Sequence, residues 1–165
     1  MIGKGNWYYE IETNPLTDNE KIVLFTTTDK EPDMFSSWTS PELVLILEEG
    51  KKDLYINFKE MLGYNSNTIK VRWRFDKGDL NSSSWILSKN RRGAFFPEKK
   101  ENLKSFVKNT IKAKKLIVGY TPNNKDKEKI VIFYVDGLGE TLLPYLEKFE
   151  WEELKEIIED NKEEK

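Results

Sequence analysis

The stretch Thr68-Ile69-Lys70-Val71-Arg72-Trp73-Arg74-Phe75-Asp76 decides the fold. Ile69, Val71, Trp73 and Phe75 alternate with Lys70, Arg72, Arg74 and Asp76. Side chains along a β-strand point to opposite faces with period 2, so one face of this segment is wholly apolar and the other wholly charged. It predicts a strand that lines a core on one side, with Trp73 pointing inward, and presents a basic row on the other. Trp85 follows after a turn at Lys77-Gly78-Asp79, within a further short strand, Ser84–Ser88.

The neighbouring runs have the same short, strand-like character. Upstream, Trp7–Glu12 is aromatic and alternating, and Lys21–Thr28 is apolar and β-branched. Asp29–Pro41, rich in Ser and Pro, reads as a long loop carrying Trp38, an interface anchor if exposed. Glu42–Glu48 and Asp53–Phe58 flank Glu49-Gly50-Lys51-Lys52, a hairpin signal because Gly supplies the positive φ that tight turns need. Downstream, Leu103, Phe106, Val107 and Ile111 make the stripe of an amphipathic helix over Glu101–Lys112. Two more strands follow, Lys115–Thr121 and Lys129–Val135, before Gly137-Leu138-Gly139 breaks the pattern and a helix begins near Glu140. Trp151, Leu154, Ile157 and Ile158 line one side of a final helix.

Many short strands joined by turns, without βαβ repetition, predict a mainly β (α+β) chain. The expected form is an antiparallel β-sandwich or partly open barrel with two or three short helices, one of them C-terminal. Residues 1–150 are expected to form a single β-rich domain, with residues 151–165 a C-terminal helix and charged tail packed on it.

Composition narrows the chemistry. The chain of 165 residues contains no Cys and no His, which removes thiol nucleophiles, disulfides, Ser-His-Asp triads and His-based zinc sites. The net charge is −2, so the total points neither to nucleic acid nor to an acidic solvating role. No cofactor or metal is expected. Carboxylate pairs such as Glu48-Glu49 and Asp76/Asp79 show no convergence in a cleft, which general acid–base catalysis needs. Gly137-Leu138-Gly139 lacks the further Gly of a phosphate-binding loop. The chain is therefore expected not to be an enzyme.

The candidate ligand-binding residues are Lys70, Arg72 and Arg74 on the charged face, together with Arg91 and Arg92 in the loop Lys89-Asn90-Arg91-Arg92-Gly93-Ala94-Phe95-Phe96. Guanidinium groups two apart in a strand share a face and suit a phosphate or carboxylate. The plain structural reading is a wet sheet face on which Arg74 pairs with Asp76 or with a cross-strand Glu. Charge is also uneven along the chain. Residues 89–129 hold thirteen Lys or Arg against four acids, and residues 136–165 eleven acids against four bases, blocks that can neutralise each other within one fold. Nucleic acid is not the expected partner, because Trp73, the best stacking candidate, points into the core.

The residues Trp7, Pro41-Glu42-Leu43-Val44, Leu54-Tyr55-Ile56, Val71 through Asp76, Trp85 with Ser88, Phe95, Leu116 through Pro122, and Phe133 through Leu138 form an ordered set through most of the chain. In order and spacing the set resembles the VasI/TagO-like proteins associated with type VI secretion, small bacterial envelope proteins. The resemblance implies a β-sandwich-type accessory domain without catalytic activity. It also implies that Trp73, Asp76, Trp85, Phe95 and Gly137, with Arg74, are mainly structural signature positions. Where that family carries cysteines, this chain has Leu47-Glu48 and Phe149-Glu150-Trp151.

The expected function is contact with a protein partner. The rival expectation is a cytoplasmic or phage-borne protein that sequesters a small anionic, nucleotide-like ligand through the Arg-rich face and loop. No stretch approaches the roughly 20 apolar residues of a membrane span. Residues 1–7 hold no apolar run of signal-peptide length. The expected location is cytoplasmic if Met1 is the native start, and periplasmic or extracytoplasmic if an export signal was removed.

Overall fold

The computed structural model describes residues 1–28, 39–97 and 99–163; the loop reading around Trp38 lies outside the described residues. The strands are β1 (Tyr8–Thr13), β2 (Glu20–Thr27), β3 (Glu42–Glu48), β4 (Lys51–Asn57), β5 (Thr68–Phe75), β6 (Asn81–Leu87), β7 (Gly93–Phe95), β8 (Lys115–Tyr120) and β9 (Lys129–Tyr134). The helices are α1 (Lys100–Lys112), α2 (Leu138–Leu142) and α3 (Lys155–Glu163), with short 3-10 turns at Leu143–Tyr145 and Glu152–Leu154. All nine strands form one sheet in the order β1-β2-β3-β4-β7-β6-β5-β8-β9, and every neighbouring pair is antiparallel. Among the described residues there is this one sheet, and it is open rather than closed.

The alternation in β5 is realised as read. Ile69 and Val71 are buried, Trp73 and Phe75 half-buried, and Lys70 and Arg72 exposed. Register carries the apolar rows across the sheet, for example Leu24–Leu45–Leu54 on one side and Trp73–Val118–Val131 on the other. Helix α1 lays Leu103, Phe106, Val107 and Ile111 on this face, all buried. Phe106 joins Trp73, Trp85 and Phe96 in an aromatic cluster with ring centroids 5.0–6.2 Å apart, several of them edge to face, as ring quadrupoles prefer.

Three local readings need correction. The β3–β4 turn is only Glu49-Gly50, with φ of 74° at Gly50; Lys51 and Lys52 already belong to β4. Strand β7, read as loop, has three residues that join the β1–β4 meander to β6-β5-β8-β9. Ala94, fully buried, pairs with both Ile56 and Leu87. The final helix is not continuous from Trp151. That residue is buried, its N–H bonds the Leu146 carbonyl, and α3 starts only at Lys155. The opposite charge blocks do meet across the fold, at Lys104–Glu153.

The ends of the open sheet are drawn together at one corner, so the form is a partly open barrel. Trp7, buried, donates its indole N–H to the Val135 carbonyl at 2.9 Å. The Thr26 hydroxyl lies 2.9 Å from the Asn6 carbonyl and 2.8 Å from that of Tyr134, donating to one at a time. Gly137 (φ 93°) makes the contact possible: a Cβ there would stand 2.3 Å from the Lys4 carbonyl oxygen. Any side chain would break this backbone-to-backbone approach.

On the outer face, register sets Tyr8, Phe25, Val44, Tyr55, Phe95 and Ile86 side by side across six strands. Tyr8 stacks on Phe25 at 5.6 Å and Tyr55 packs on Phe95 at 5.1 Å. Val44 at the centre of this row is 3% exposed, Tyr8, Phe25, Tyr55 and Phe95 are half-buried, and Ile86 at its end is 49% exposed.

Candidate functional site

The charged face exists, but its cations are engaged separately. Arg72 grips Glu128 with two prongs, Nε to Oε2 at 2.7 Å and Nη2 to Oε1. Gly119 stands between Arg72 and Ile130 in register; a Cβ there would lie 2.8 Å from the Glu128 carboxylate, so the missing side chain lets the pair form. The hydrogen bonds from Arg72, and then its charge, hold the Glu128 carboxyl below its ordinary value. Arg74 donates Nε to the Asp76 carbonyl at 3.1 Å. Asp76 sits at φ 50° and spends its carboxylate on backbone. It accepts the N–H of Lys115 at 2.9 Å and of Lys114 at 3.2 Å, while its own N–H bonds the Lys115 carbonyl at 3.0 Å. It therefore clips the end of β5 to the start of β8.

Arg91 and Arg92 lie at the other end of β5. Arg91 donates to the Ser66 carbonyl and to Asn67 Oδ1 (3.1 Å), with its guanidinium 5.8 Å from the Tyr64 ring centroid. The Arg91 and Arg92 carbonyls accept the N–H groups of Leu62 and Phe58, which ties the β6–β7 turn down. From Asn67 to Arg74 an extended strand covers about 23 Å at roughly 3.3 Å per residue. The five basic candidates are spread along that length rather than brought together.

Among the signature positions, Trp73 and Trp85 are in the aromatic cluster, Phe95 is half-buried on the outer face and Gly137 is in the corner clip. Trp85 Nε1 and Ser83 Oγ are buried without a hydrogen-bond partner among the described residues. No group of three or more acidic side chains that could hold a metal occurs among the described residues. No described helix is long and apolar enough to cross a membrane. Glu60 accepts from the Tyr120 hydroxyl at 3.0 Å and from Lys129 Nζ at 2.8 Å; burial and the Glu60 charge push the Tyr120 hydroxyl well above its ordinary value.

Sequence reasoning missed the outer edge of β9. The Val135 N–H bonds the Lys114 carbonyl at 2.9 Å, so by period 2 the backbone groups of 131 and 133 also face β8. Those of Ile130 and Ile132 face away, at the open end of the sheet. The Tyr134 carbonyl has the same outward parity, and the Thr26 hydroxyl reaches it from that side. Ile130 is 65% and Ile132 38% exposed, with half-buried Ile117 beside Ile132 on the same face. Arg72, Arg74 and Lys115 border this apolar patch. A notch of about 300 Å³ at the Tyr134 end is lined by Asn6, Lys114, Lys115, Tyr134 and Asp136.

Set against protein-family models, curated proteins and solved structures, the chain matches none.

Proposed function

We propose that this chain is a non-catalytic accessory domain that works by protein–protein contact, with the Ile130–Ile132 edge of β9 as its contact surface. One observation carries the reading: a strand edge, unpaired among the described residues, whose outward backbone groups lie beside two exposed isoleucines. Such an edge templates pairing with another chain, and stable proteins normally blunt it with charge, proline or a covering segment. A bound partner removes the liability by filling the edge. An accessory role without catalysis is also what the resemblance to VasI/TagO-like proteins implies. The dispersed arginines favour this reading over capture of a small anion, since Arg72 is already held by Glu128 and Arg91 by Ser66 and Asn67.

Site-specific photo-crosslinking in the native host tests the proposal. A photoreactive amino acid at Ile130 is expected to trap one defined protein, and the same probe at Glu12 on β1 is expected to trap none. Equal adducts from both positions, or none from Ile130, overturn it.

A further inference from the structure

We infer that the β9 edge takes an added antiparallel strand from an acidic segment of a partner protein, with the N-to-C pattern acidic–x–aliphatic–x–aliphatic. The inference rests on the protein-contact reading above and gives the partner its chemistry. The N–H and C=O of Ile130 and Ile132 supply four outward backbone groups, enough for two hydrogen-bonded residue pairs. Residues directly opposite in antiparallel strands share a face, so the two partner residues opposite Ile130 and Ile132 lie on the apolar outer patch with Ile117. β-branched aliphatic side chains fit there.

The next partner residue on that face lies opposite Tyr134, two positions earlier in an antiparallel strand. Backbone pairing ends at this point, because the Tyr134 carbonyl faces the Thr26 hydroxyl. The side chain there reaches the notch with Lys114 and Lys115. The ammonium groups of these two lysines pair with no carboxylate among the described residues, although Lys115 Nζ lies 5.9 Å from the Tyr134 ring centroid. Of the carboxylates nearby, Glu128 is paired with Arg72. Asp136, which also lines the notch, accepts from Asn6 Nδ2 at 2.8 Å and Asp76 from backbone N–H groups, so neither forms an ion pair with the two lysines. An Asp or Glu on the incoming strand therefore meets two ammonium groups that outnumber the single Asp136 carboxylate in the notch.

The same charges disfavour a second copy of this chain as the occupant. In an antiparallel β9–β9 pair, the Tyr134 end of one strand meets the Lys129 end of the other. Lys114 and Lys115 would then approach Lys125 and Lys127, placing like charges together, Lys129 being paired with Glu60.

The test is a titration of the full chain with a labelled nine-residue peptide of the pattern Glu-Thr-Val-Thr-Val, followed by anisotropy and amide NMR. Shifts concentrated at Ile130 and Ile132 are expected, with at least tenfold weaker binding after N-methylation of both valines or exchange of the Glu for Lys. The double variant Lys114→Glu plus Lys115→Glu is expected to reverse the preference, binding the Lys peptide better than the Glu peptide. Equal binding of the N-methylated peptide, shifts away from β9, or an edge filled by concentration-dependent self-association overturns the inference. A crosslinked partner at Ile130 with no response to these peptides refutes the strand chemistry alone. Absence of the crosslink refutes the protein-contact reading itself.

Discussion

The two edges of this sheet are finished in different ways. On β1, the chain folds its own first residues back. Met1 and Tyr9 exchange backbone hydrogen bonds in both directions at 2.9 Å, and Ile2 bridges Tyr8. The rest of that edge shows Ile11, 38% exposed, but flanks it with Glu10 and Glu12, the latter ion-paired to Lys21 at 3.0 Å. On β9 the Tyr134 end is sealed by Thr26 and Trp7. Among the described residues no segment covers the Ile130–Ile132 half. Both strands have the same ladder geometry, so what separates them is whether the chain invests side chains in blunting the edge. The one left bare is where a partner is expected.

The comparison breaks most severely at the corner clip. Trp7→Ala removes a buried indole and its bond to Val135, and is expected to cost about 3–5 kcal/mol in urea denaturation. The sealed end of β9 should open with it, seen as faster amide exchange at Phe133 and Val135. Gly137→Ala, which puts a Cβ into the Lys4 carbonyl at positive φ, is expected to cost at least about 2 kcal/mol. A loss below about 0.5 kcal/mol for either would show that the corner is not a clip.

How much of this was legible beforehand differs by element. The period-2 alternation of Thr68–Asp76 was enough to give β5 its two faces, because burial on one side and water on the other is written into residue type. Strand β7 was not readable: Gly93-Ala94-Phe95 is short and carries two residues that strands disfavour, and only pairing with Ile56 and Leu87 on either side makes it a strand. The basic row could be seen, but not Glu128 reaching Arg72 across Gly119, since that depends on a register two strands away. The β9 edge was hidden for a related reason. Ile130-Val131-Ile132-Phe133 reads as a strand buried on both faces. Nothing local to it reveals that β8 is its only ladder neighbour among the described residues.

Smaller effects sharpen the contrast between the edges. Ile130→Lys should leave stability within about 0.5 kcal/mol, because an exposed side chain loses little on replacement, while it removes peptide binding. A large destabilisation would mean that Ile130 is packed rather than displayed. Last comes pH. Glu128 is held below its unfolded value by Arg72, so the pair stabilises the fold above the ordinary carboxylate range and loses that contribution as pH falls through the lowered value. Both groups are partly exposed, so the effect is small. Denaturation midpoints of the native chain and Arg72→Ala should converge slightly on acidification, and an unchanged gap would contradict the pairing.

The most direct measurement is residue-resolved amide hydrogen exchange on the dilute chain. An open β9 edge predicts fast exchange at Ile130 and Ile132, alternating with strong protection at Val131 and Phe133, while Tyr9 on β1 is protected by its bond to Met1. Protection at Ile130 and Ile132 equal to that of Val131 and Phe133 would contradict it.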